Sequence, residues 1–577
     1  VYEIGMCNLG LGIIYDDLNR QPDVLAERVF APWNDMEDAL RGAGVPLFSL
    51  ESKRPVRDFD IVGFSLGYEL TYSNALNLLD LAQIPVLAAE RGDSLPLVIA
   101  GGSCALNPEP MADFIDLFVV GEGEEAVLDL IEVFRSWRRE GSGRKREFLQ
   151  EAARVPGLYV PSFYDVAYRP DGTVSSITPS VAEASPVIER RIVSSLPDPL
   201  TRPIVPHLEV IHDRGAVEIQ RGCSQGCRFC QAGMIYRPVR ERPKEEVVRA
   251  VDEVVRNCGY DEISLLSLSS SDYPDIMNVI NTLSRKYKGR SLTLSLPSLR
   301  LDSFSVELAT QLQGGRRGGF TFAPEAGTER LRRVINKDIA EEDILKAITA
   351  SWERGWKSVK LYFMIGLPTE TIADVEEIVR LVRRVRTIGG GRINVRVNAS
   401  TFVPKARTPF QWAAQALGED LAARHQVLRA GLKKSGVHLS WQDPEVSLLE
   451  GVFSRGDRRL GRVIHDAWKR GSRLDAWSEH YDWEKWQGAF ADSGLDPLFY
   501  ACRERAVDEI LPWSHIDAGV DADFLWKEYE RSTLEQETPD CRSGACNLCG
   551  LERSNGSCQR KHEKLSAGSK ASSPESS

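Results

Sequence analysis

Arg221-Gly-Cys-Ser-Gln-Gly-Cys-Arg-Phe-Cys230 is the stretch that places three cysteines within eight residues. They are Cys223, Cys227 and Cys230, and they follow a strand-like run near residues 217–220. Three thiolates spaced Cys-x3-Cys-x2-Cys can bind three irons of a cubane and leave the fourth iron without a protein ligand. A structural metal site would be expected to complete its ligand set. The stretch therefore predicts a 4Fe-4S cluster with one open iron; a zinc site or three buried thiols are the alternatives.

Strand-like and helix-like segments alternate around this loop, from residue 216 to about residue 404. Six apolar runs predict strands near residues 217–220, 262–268, 292–296, 319–323, 358–365 and 393–402. Helical patterns follow most of these runs. Six βα units in residues 211–412 fit a partial (βα)6 barrel better than a full (βα)8 barrel, which needs ~250 residues.

The rest of the chain divides by composition into further regions. Residues 1–136 alternate buried-strand and helix patterns, which predicts a Rossmann-like α/β domain. Residues 137–210 predict a linker and a β-rich connector with a turn at Pro170-Asp-Gly172. Residues 413–540 predict a helical region rich in Trp and Arg, ahead of a cysteine cluster in residues 541–558. The tail, residues 559–577, has almost no apolar content, which predicts disorder.

Composition and the chain ends set further expectations. The 577 residues carry a net charge of −11, so a nucleic-acid surface would have to be local. The longest apolar runs are far shorter than the ~20 residues of a membrane helix, and no leader opens the chain. We therefore expect a soluble protein of the cytoplasm. Val1-Tyr-Glu-Ile-Gly-Met6 reads as a core strand without an initiator Met, so we expect that an N-terminal piece is missing.

The cysteine loop resembles the Cys-x3-Cys-x-aromatic-Cys loop of the radical S-adenosylmethionine (SAM) superfamily, with Phe229 as the aromatic residue. The resemblance implies that SAM chelates the open iron through its amino and carboxylate groups. An electron from the reduced cluster then cleaves SAM to a 5′-deoxyadenosyl radical. A reductant such as flavodoxin or ferredoxin is the implied electron donor.

Three loops after later strands are similar to SAM-binding elements of that superfamily. Gly366-Leu367-Pro368, after the fifth strand, resembles the element beside the adenine. Pro324-Glu325-Ala-Gly-Thr328, after the fourth strand, is similar to the methylthiotransferase segment near the SAM carboxylate and ribose. Ser269-Ser-Ser-Asp272 stands where the superfamily has Gly-Gly-Glu, so the contact to the SAM amino group is carried over to Ser269. Ordinary turns are the alternative for each loop.

The N-terminal domain resembles the cobalamin-binding module of many radical SAM methyltransferases. The similar stretches are Val98-Ile-Ala-Gly-Gly-Ser-Cys-Ala-Leu-Asn-Pro-Glu-Pro110 and Val120-Gly-Glu-Gly-Glu-Glu125. A glycine-rich turn at the carboxyl edge of a sheet lets a large planar cofactor approach the backbone. The first histidine of the chain is His207, so we expect any cobalamin here to be His-off. A domain that kept this fold without the cofactor is the alternative.

Two further clusters lie toward the C-terminus. Four soft ligands could hold a second Fe-S cluster or a zinc ion, with reduced cysteines in a flexible tail as the alternative: Cys541, Cys546, Cys549 and Cys558. A basic segment with His465 and Trp468 among its cations could bind phosphates and stack a base. A solvated helix with Asp457 and Asp466 as counter-charges is the other interpretation. The cations are Arg455, Arg458, Arg459, Arg462, Lys469, Arg470 and Arg473.

Five motifs together resemble one uncharacterised radical SAM family, which occurs beside or fused to a small "radical SAM-linked" domain. They are Tyr2-Glu-Ile-Gly-Met6, Ala26-Glu-Arg-Val-Phe-Ala-Pro-Trp33, Asn107-Pro-Glu-Pro110, Ser454-Arg-Gly-Asp457 and Thr538-Pro-Asp-Cys541. In that family the last motif continues Cys-Gly-x-Cys. Glu552 stands where the final cysteine would be, so Cys558 is the expected substitute. The resemblance also implies a radical SAM-linked partner protein.

The favoured function is methyl or methylthio transfer to RNA by a radical SAM enzyme. Phe402-Val-Pro-Lys-Ala-Arg-Thr-Pro-Phe-Gln-Trp412 supports it, because this stretch is similar to the end of the barrel in tRNA methylthiotransferases. No pattern of a small β-barrel RNA-binding domain follows it. The second hypothesis is cobalamin-dependent methyl transfer to a small molecule or lipid. The third is a subunit whose clusters relay electrons or act as a scaffold without turnover.

Overall fold

The computed structural model describes residues 1–93, 96–141, 143–290, 292–297, 320–337 and 339–554, together with residue 558. The chain forms two compact units, and neither is contiguous in sequence. Unit 1 consists of Val1–Val193, Pro203–Asp213 and Leu448–Gly519. Unit 2 consists of Ser194–Arg202, Arg214–Ser447 and Val520–Ser577.

The strands and helices of the described residues follow in chain order. The strands are β1 (Ile61–Ser65), β2 (Leu97–Gly101), β3 (Leu117–Val119), β4 (Leu158–Tyr159), β5 (Tyr164–Tyr168), β6 (Val174–Pro179), β7 (Ile188–Glu189), β8 (Gly215–Glu218), β9 (Gln220–Arg221), β10 (Arg240–Glu241), β11 (Glu262–Leu266), β12 (Thr293–Ser295), β13 (Phe320–Glu325), β14 (Ser358–Ile365), β15 (Asn394–Thr401), β16 (His438–Trp441) and β17 (Ile516–Asp517). The helices are α1 (Tyr2–Gly5), α2 (Leu9–Asn19), α3 (Asn34–Ala43), α4 (Tyr72–Leu81), α5 (Gly123–Arg139), α6 (Lys145–Ala152), α7 (Gln231–Ile235), α8 (Lys244–Cys258), α9 (Ile276–Lys286), α10 (Glu329–Val334), α11 (Glu341–Glu353), α12 (Ile372–Thr387), α13 (Gly418–Leu432), α14 (Pro444–Arg455), α15 (Leu460–Lys469), α16 (Trp483–Ser493), α17 (Pro497–Ala501), α18 (Ala522–Thr533) and α19 (Leu551–Ser554).

Unit 1 is built on a four-stranded sheet in the order β1-β2-β3-β4. The first three strands run parallel, and β4 pairs antiparallel with β3. Four of the five residues of β2 are buried, as expected for an inner strand of a parallel sheet. The hairpin β5–β6 turns at the Pro-Asp-Gly sequence, where Asp171 accepts a hydrogen bond from the Thr173 amide (2.9 Å).

Unit 2 carries parallel strands in two sheets, β12-β11-β8 and β13-β14-β15-β16. Six of these strands fall on the six predicted runs, and β16 is an addition that the sequence pattern did not indicate. β14 and β15 pair in unbroken register from Ser358 opposite Asn394 to Ile365 opposite Thr401. The fourth strand was predicted to begin at Gly319, which lies outside the described residues; β13 begins at Phe320.

The chain after Trp412 does not form the separate helical region predicted for residues 413–540. Residues 448–519 complete unit 1, and the following residues return to unit 2. Buried side chains explain this division. Phe453 packs on Tyr72 of α4 with ring centroids 5.5 Å apart. Asp475 accepts hydrogen bonds from Ser73 (2.5 Å) and from the indole of Trp486 (3.2 Å). Most of the predicted connector also belongs to unit 1, which includes residues 137–193 and 203–210, whereas Ser194–Arg202 belongs to unit 2.

The first residues form helix α1 and not the predicted core strand, and none of the residues of α1 is buried. The Gly5 and Met6 amides donate to the Val1 and Tyr2 carbonyls (3.0 Å each), which closes a helical turn. Among the described residues no helix combines the length and the apolar character that crossing a bilayer requires. The tail for which disorder was predicted, residues 559–577, lies outside the described residues.

Candidate functional site

The three-cysteine loop follows β9 and leads into α7 of unit 2. Gly222 opens the loop with a φ of +84°. A Cβ atom at this position would lie 2.5 Å from the carbonyl oxygens of both Tyr236 and Pro238, so only glycine fits. Gly226, between the first two cysteines, also has a positive φ of +74°. The two glycines allow the loop to turn tightly between its three thiols.

The thiols of this loop are close enough to act on one another electrostatically. Burial, followed by the neighbouring Cys227 thiol, raises the pKa of Cys223 to about 11 and that of Cys230 to about 12. The Gly233 amide donates a hydrogen bond to Cys230 Sγ (3.3 Å), which opposes the rise. Because burial disfavours thiolate anions, a bound cation is required to hold three of them together.

The donor set decides which kind of metal group this loop could hold. In the part of the chain that the structure describes, no three His, Cys, Asp or Glu side chains converge on a single metal ion. A cubane requires a different arrangement, because each thiolate binds its own iron at a separate corner. Three neighbouring sulfur donors fit a cubane in ligand type and number.

Phe229 and Leu367, two of the predicted cofactor-binding residues, meet in one apolar core. Phe229 packs against a buried cluster that contains Leu367. The members of that cluster are Ala326, Leu331, Val334, Ile335, Leu367, Phe402, Phe410 and Ala413. The cysteine loop, the chain after β13 and the chain after β14 therefore share side-chain packing, as loops at the carboxyl ends of barrel strands are expected to do.

Ser269 follows β11 and is 2% exposed. Its hydroxyl has no hydrogen-bond partner among the described residues. Thr401, at the last position of β15, is also buried and its hydroxyl also lacks a partner within the described part of the chain. Leaving a buried polar group unsatisfied costs about 1–3 kcal/mol. Both hydroxyls therefore suit contact with a bound group, and the sequence motifs had not indicated Thr401.

Glu370 holds the Gly366-Leu367-Pro368 loop in place. Gly366 has a φ of +79°, and its amide donates to Glu370 Oε2 (2.6 Å). Arg424 Nε donates to the same oxygen (2.7 Å). The Glu370 side chain is 1% exposed, and burial raises its pKa to about 7. Sequence reasoning missed Glu370, although its position two residues after Pro368 is a signal that could have found it.

Glu325 ends β13 with a positive φ of +67° and pairs with Lys337, Oε1 to Nζ 2.8 Å. The positive charge of Lys337 lies near enough to Cys230 to favour its thiolate. The predicted SAM-binding carboxylate and a cation are thus placed together beside the cysteine loop. No motif had indicated Lys337.

Two family models match the chain. Residues 217–382 match the model described as "Radical SAM superfamily", and residues 10–161 match the model described as "Radical SAM proteins, N-terminal". The first match contains the cysteine loop, Ser269, Glu325 and the Gly366 loop. The chain belongs to the radical SAM superfamily. It is accordingly a radical SAM enzyme, whose cofactors are a 4Fe-4S cluster and SAM.

Similar proteins include one without an assigned activity and one with a named activity. An uncharacterised protein of Methanocaldococcus jannaschii is 29% identical over 468 residues, which cover 79% of this chain and 91% of the relative. The ribosomal protein uS12 methylthiotransferase RimO of Thermotoga maritima is 22% identical over 291 residues, which cover 45% of this chain and 66% of RimO. Among solved structures, the radical SAM methyltransferase TsrM of Kitasatospora setae, with cobalamin and a 4Fe-4S cluster bound, aligns with a TM-score of 0.47 and 14% identity, over 84% of this chain and 95% of TsrM.

Cys541, the first of the C-terminal cysteines of this radical SAM enzyme, shares a charged neighbour with the cysteine loop. The guanidinium of Arg237 acts electrostatically on both Cys223 and Cys541. Cys546 and Cys549 act on Cys541, and burial raises the pKa of Cys541 above its ordinary value. Glu552, which stands where a fourth cysteine was expected, acts on Cys546. Whether Cys558 joins these three thiols stays a prediction.

The glycine-rich turns of unit 1 are occupied by the chain's own backbone. At Gly102, with a φ of +104°, a Cβ atom would lie 2.5 Å from the Leu66 carbonyl oxygen. At Gly121, with a φ of +105°, it would lie 2.3 Å from the Arg191 carbonyl oxygen. These two glycines therefore serve close packing within the unit. Gly67, just after β1, is exposed and has open space around it.

Two motifs that are far apart in sequence pack on each other in unit 1. Asn107 of Asn107-Pro-Glu-Pro110 donates to the carbonyls of Ser454 (3.3 Å) and Gly456 (3.0 Å) in Ser454-Arg-Gly-Asp457. Glu109 is 1% exposed and pairs with Arg458 (3.0 Å). These contacts give both motifs a packing role and account for the return of residues 448–519 to this unit.

Residues 1–136 contain no histidine, but the folded unit that includes them does. Residues 203–213 and 448–519 add five histidines to it: His207, His212, His465, His480 and His515. The last three pack on aromatic rings, His465 on Phe114, His480 on Trp33 and His515 on Tyr159. The ligation mode of a cobalamin therefore cannot be inferred from the sequence position of the first histidine, and His-off binding stays a prediction.

The basic segment between residues 455 and 473 is largely engaged inside unit 1. Arg455 is fully buried and donates to the carbonyls of Ala501 (2.7 Å) and Arg503 (2.9 Å). Other pairs join Arg458 to Glu109, Arg459 to Asp457, Arg470 to Asp492 and Arg473 to Glu37. These pairs favour a packing role for the segment over phosphate binding.

Proposed function

We propose that this radical SAM enzyme transfers a methyl or methylthio group to RNA. The observation that carries the proposal is the gathering of Cys223, Cys227 and Cys230 beside the carboxyl ends of the parallel strands. Group transfer is supported by the similarity to RimO, which is named as a methylthiotransferase. RNA as the acceptor is supported by the likeness of residues 402–412 to the end of the barrel in tRNA methylthiotransferases.

In this proposal Cys223, Cys227 and Cys230 bind the 4Fe-4S cluster. When bound and reduced by a donor such as flavodoxin or ferredoxin, the cluster and SAM supply one-electron cleavage of the sulfonium. The three cysteines are partly exposed, and burial nonetheless raises the pKa of Cys223 and of Cys230, so the loop shields these two thiols in part from water. Phe229 packs the loop against an apolar core. That core also contains Ala326, after β13, and Leu367, after β14.

The remaining predicted residues would hold SAM. The hydroxyl of Ser269, which has no partner among the described residues, would receive the amino group, and the Glu325–Lys337 pair would hold the carboxylate and ribose. The backbone of Gly366, Leu367 and Pro368 packs beside the adenine, with its turn held by Glu370. Contact with the amino group would pair the buried Ser269 hydroxyl, which has no hydrogen-bond partner among the described residues.

Residues 402–412 are positioned to border the reaction site. Gln231 of α7, next to Cys230, donates to the Ala406 carbonyl (3.1 Å). Trp412 packs on Trp526 of α18 with ring centroids 5.2 Å apart. Lys405, within this segment, is partly exposed. A cation on an ordered loop that contacts the cluster-side helix suits an acceptor with a phosphate backbone.

The test is an anaerobic assay with SAM carrying a deuterated methyl group. The reconstituted protein is incubated with dithionite and RNA from cells that lack the gene, and RNA nucleosides are analysed by mass spectrometry. We expect 5′-deoxyadenosine and a deuterated nucleoside with the wild type and neither with Cys227→Ala. Release of 5′-deoxyadenosine without label in RNA would contradict RNA as acceptor. No 5′-deoxyadenosine under any substrate mixture would contradict the radical SAM reaction.

Cobalamin-dependent methyl transfer to a small molecule or lipid is the second candidate. The observation that favours it is the open backbone at Gly67, at the carboxyl end of the parallel strand β1. A large planar cofactor can approach a sheet only where backbone is open. Purification from cells supplied with cobalamin tests it. Corrinoid absorbance that a bulky Gly67→Trp variant loses would support this candidate.

The C-terminal cysteines are proposed to hold a second Fe-S cluster or a zinc ion. Cys541, Cys546 and Cys549 are mutual neighbours, which brings three soft donors together. Metal counting in a Cys223→Ala/Cys227→Ala/Cys230→Ala variant separates the two metals. We expect this variant to lose about four irons. Iron that remains belongs to the C-terminal cysteines, whereas zinc that remains identifies a structural ion there.

A further inference from the structure

Asn336 forms hydrogen bonds both with the cysteine loop and with Thr538, which lies 202 residues after Asn336 in the chain. Its Nδ2 donates to the carbonyls of Gln225 (3.1 Å) and Gly226 (3.2 Å), the two residues midway between Cys223 and Cys227. It also donates to the Thr538 carbonyl (3.1 Å) and accepts from the Thr538 amide, Oδ1 to N 2.8 Å. Asn336 is 6% exposed. One buried carboxamide therefore satisfies backbone groups of both segments.

Arg228 makes a second link between the same parts of the chain. It lies between Cys227 and Phe229 in sequence and is fully buried. Its Nε is 3.1 Å from Glu528 Oε2 on α18, and its Nη2 donates to the Gln536 carbonyl (2.7 Å). A buried guanidinium needs such partners, because an unpaired buried charge is strongly destabilising.

Asp540 and Arg542 make a third link. Gln225 Nε2 lies 2.9 Å from Asp272 and 3.4 Å from Asp540. Arg542 pairs with Asp540 (3.2 Å) and donates to the Asp272 carbonyl (3.2 Å). Asp272 closes the loop that contains Ser269. The segment 536–542 therefore contacts both the cysteine loop and the loop after β11.

These contacts reach the cysteine loop itself. Asn336 binds the Gln225 and Gly226 carbonyls of that loop. Arg228 is a residue of the loop, and it binds Glu528 of α18 and the Gln536 carbonyl. A displacement of Gln225 or Gly226 is transmitted directly to Cys223 and Cys227, because only one or two peptide units separate them. The position of the sulfur atoms thus depends on residues 536–542.

We propose that Asn336 is a positioning residue of the cluster site, and that residues 536–542 are a structural part of that site. The inference rests on the proposed cluster at Cys223, Cys227 and Cys230. Asn336 holds the Gln225-Gly226 turn in the shape that presents the three thiols, and Thr538 holds Asn336. The cluster and the segment 536–542 therefore stabilise each other.

The first test is hydrogen–deuterium exchange on the full wild-type chain, metal-free and after anaerobic cluster reconstitution. The Thr538 amide, which donates to Asn336, is expected to exchange about tenfold more slowly in the loaded protein. Amides of the β14–β15 ladder serve as the reference and are expected to change little. Equal exchange at Thr538 in both states would overturn the inference. A wild-type chain that holds no cluster would overturn both the inference and the proposed function.

The second test uses Asn336→Asp, because Asn336 has a positive φ of +53° that aspartate tolerates and alanine does not. Aspartate has the same shape but cannot donate to Gln225 and Gly226. We expect cluster loss to be at least about tenfold faster, because the buried carboxylate can no longer donate to these carbonyls and is repelled by their oxygens, and we expect a shifted electron paramagnetic resonance spectrum of the reduced cluster. A loaded Asn336→Asp protein with wild-type iron retention and spectrum would overturn the inference.

Ser532→Ala is the matched control. It removes a buried hydroxyl on α18 that donates to the Tyr529 carbonyl (2.6 Å), outside the segment 536–542. We expect this variant to keep the wild-type spectrum even if its thermal stability falls. A spectrum shifted equally in Ser532→Ala and Asn336→Asp would indicate a general packing defect and overturn the inference.

Discussion

Individual residues of unit 2 take their roles from the groups that they contact. Lys337 and Glu370 belong to no motif, yet each touches a group that a motif had indicated, Glu325 in one case and Gly366 in the other. A charged side chain has a different effect in a buried pair than on a surface, because burial weakens solvent screening. Two predictions concern these residues.

Replacing Lys337 by Met should make the cluster harder to reduce. A positive charge near Cys230 stabilises the more negative reduced state, and its removal leaves the Glu325 carboxylate unpaired in the same region. We expect the reduction potential to fall by tens of millivolts, as measured by a redox titration with spectroscopic detection. Lys337→Arg should stay close to the wild type. A potential that rises in Lys337→Met would contradict this electrostatic role.

Glu370 should make the stability of unit 2 depend on pH. Burial raises its pKa from 4.5 to about 7, so the folded chain keeps this proton to higher pH than the unfolded chain does. Stability from this group is therefore present at low pH and is lost as pH rises from 4.5 to about 7. Glu370→Gln keeps the neutral form at every pH. Thermal unfolding at about pH 5 and about pH 8 should show a smaller loss in the variant than in the wild type; equal losses would contradict the assignment.

At the scale of elements, an interface within unit 1 holds the unit together. Helix α4 and the chain after β2 form one side of this interface, and residues 448–519 form the other. It combines aromatic packing, such as Tyr72 on Phe453, with buried polar pairs, such as Glu109 with Arg458. Polar pairs in an apolar interface specify which partner surfaces can meet, because a mismatch would leave a buried charge unpaired. This explains why short polar motifs lie at such an interface.

The Glu109–Arg458 pair gives a prediction at this scale. Removing either partner alone, in Glu109→Gln or Arg458→Met, should lower the free energy of unfolding by about 3 kcal/mol, because the other group stays behind the interface without its counter-charge. The double variant should lose clearly less than the sum of the two losses. Denaturant unfolding followed by tryptophan fluorescence measures all four proteins. Additive losses would show that the two side chains do not interact energetically.

At the scale of the whole molecule, each unit is assembled from separate parts of the chain. Unit 1 needs residues 448–519, and unit 2 needs residues from 520 onward. The chain therefore passes between the units several times, and no single cut separates two complete folding units. Sequence composition could not reveal these discontinuous units. Composition describes the residues of one segment, and it does not show which other segment buries them.

A fragment of residues 1–193 should not fold into a stable domain on its own. It lacks the partners of Tyr72, Ser73, Asn107 and Glu109, and it would expose their apolar surroundings to water. We expect rapid proteolysis and a broad unfolding transition for this fragment. Co-expression with residues 448–519 should restore resistance to protease. A fragment that melts sharply without residues 448–519 would contradict the assignment of unit 1.

The cysteine loop and six of the parallel strands could be predicted because their signals are local. Thiolate spacing is set by chemistry within a few residues, and apolar runs of strand length recur between helical patterns. Thr401 and Asn336 carry no such signal, because their importance lies in which atoms surround them. The helix at Tyr2–Gly5 was missed for a related reason, since a run of apolar residues this short is compatible with either structure.

The amino-acid sequence by itself determined the chemistry with which the reaction begins and the order of strands that carries it. The spacing of the three cysteines and the alternating βα patterns can both be recognised from residues that are close together in sequence. Tertiary structure alone decided that residues 448–519 complete the N-terminal unit and that residues 536–542 join the cysteine loop. Burial and hydrogen bonding act between residues that are close in space. Hundreds of residues can separate such partners in sequence, and no local pattern then marks them.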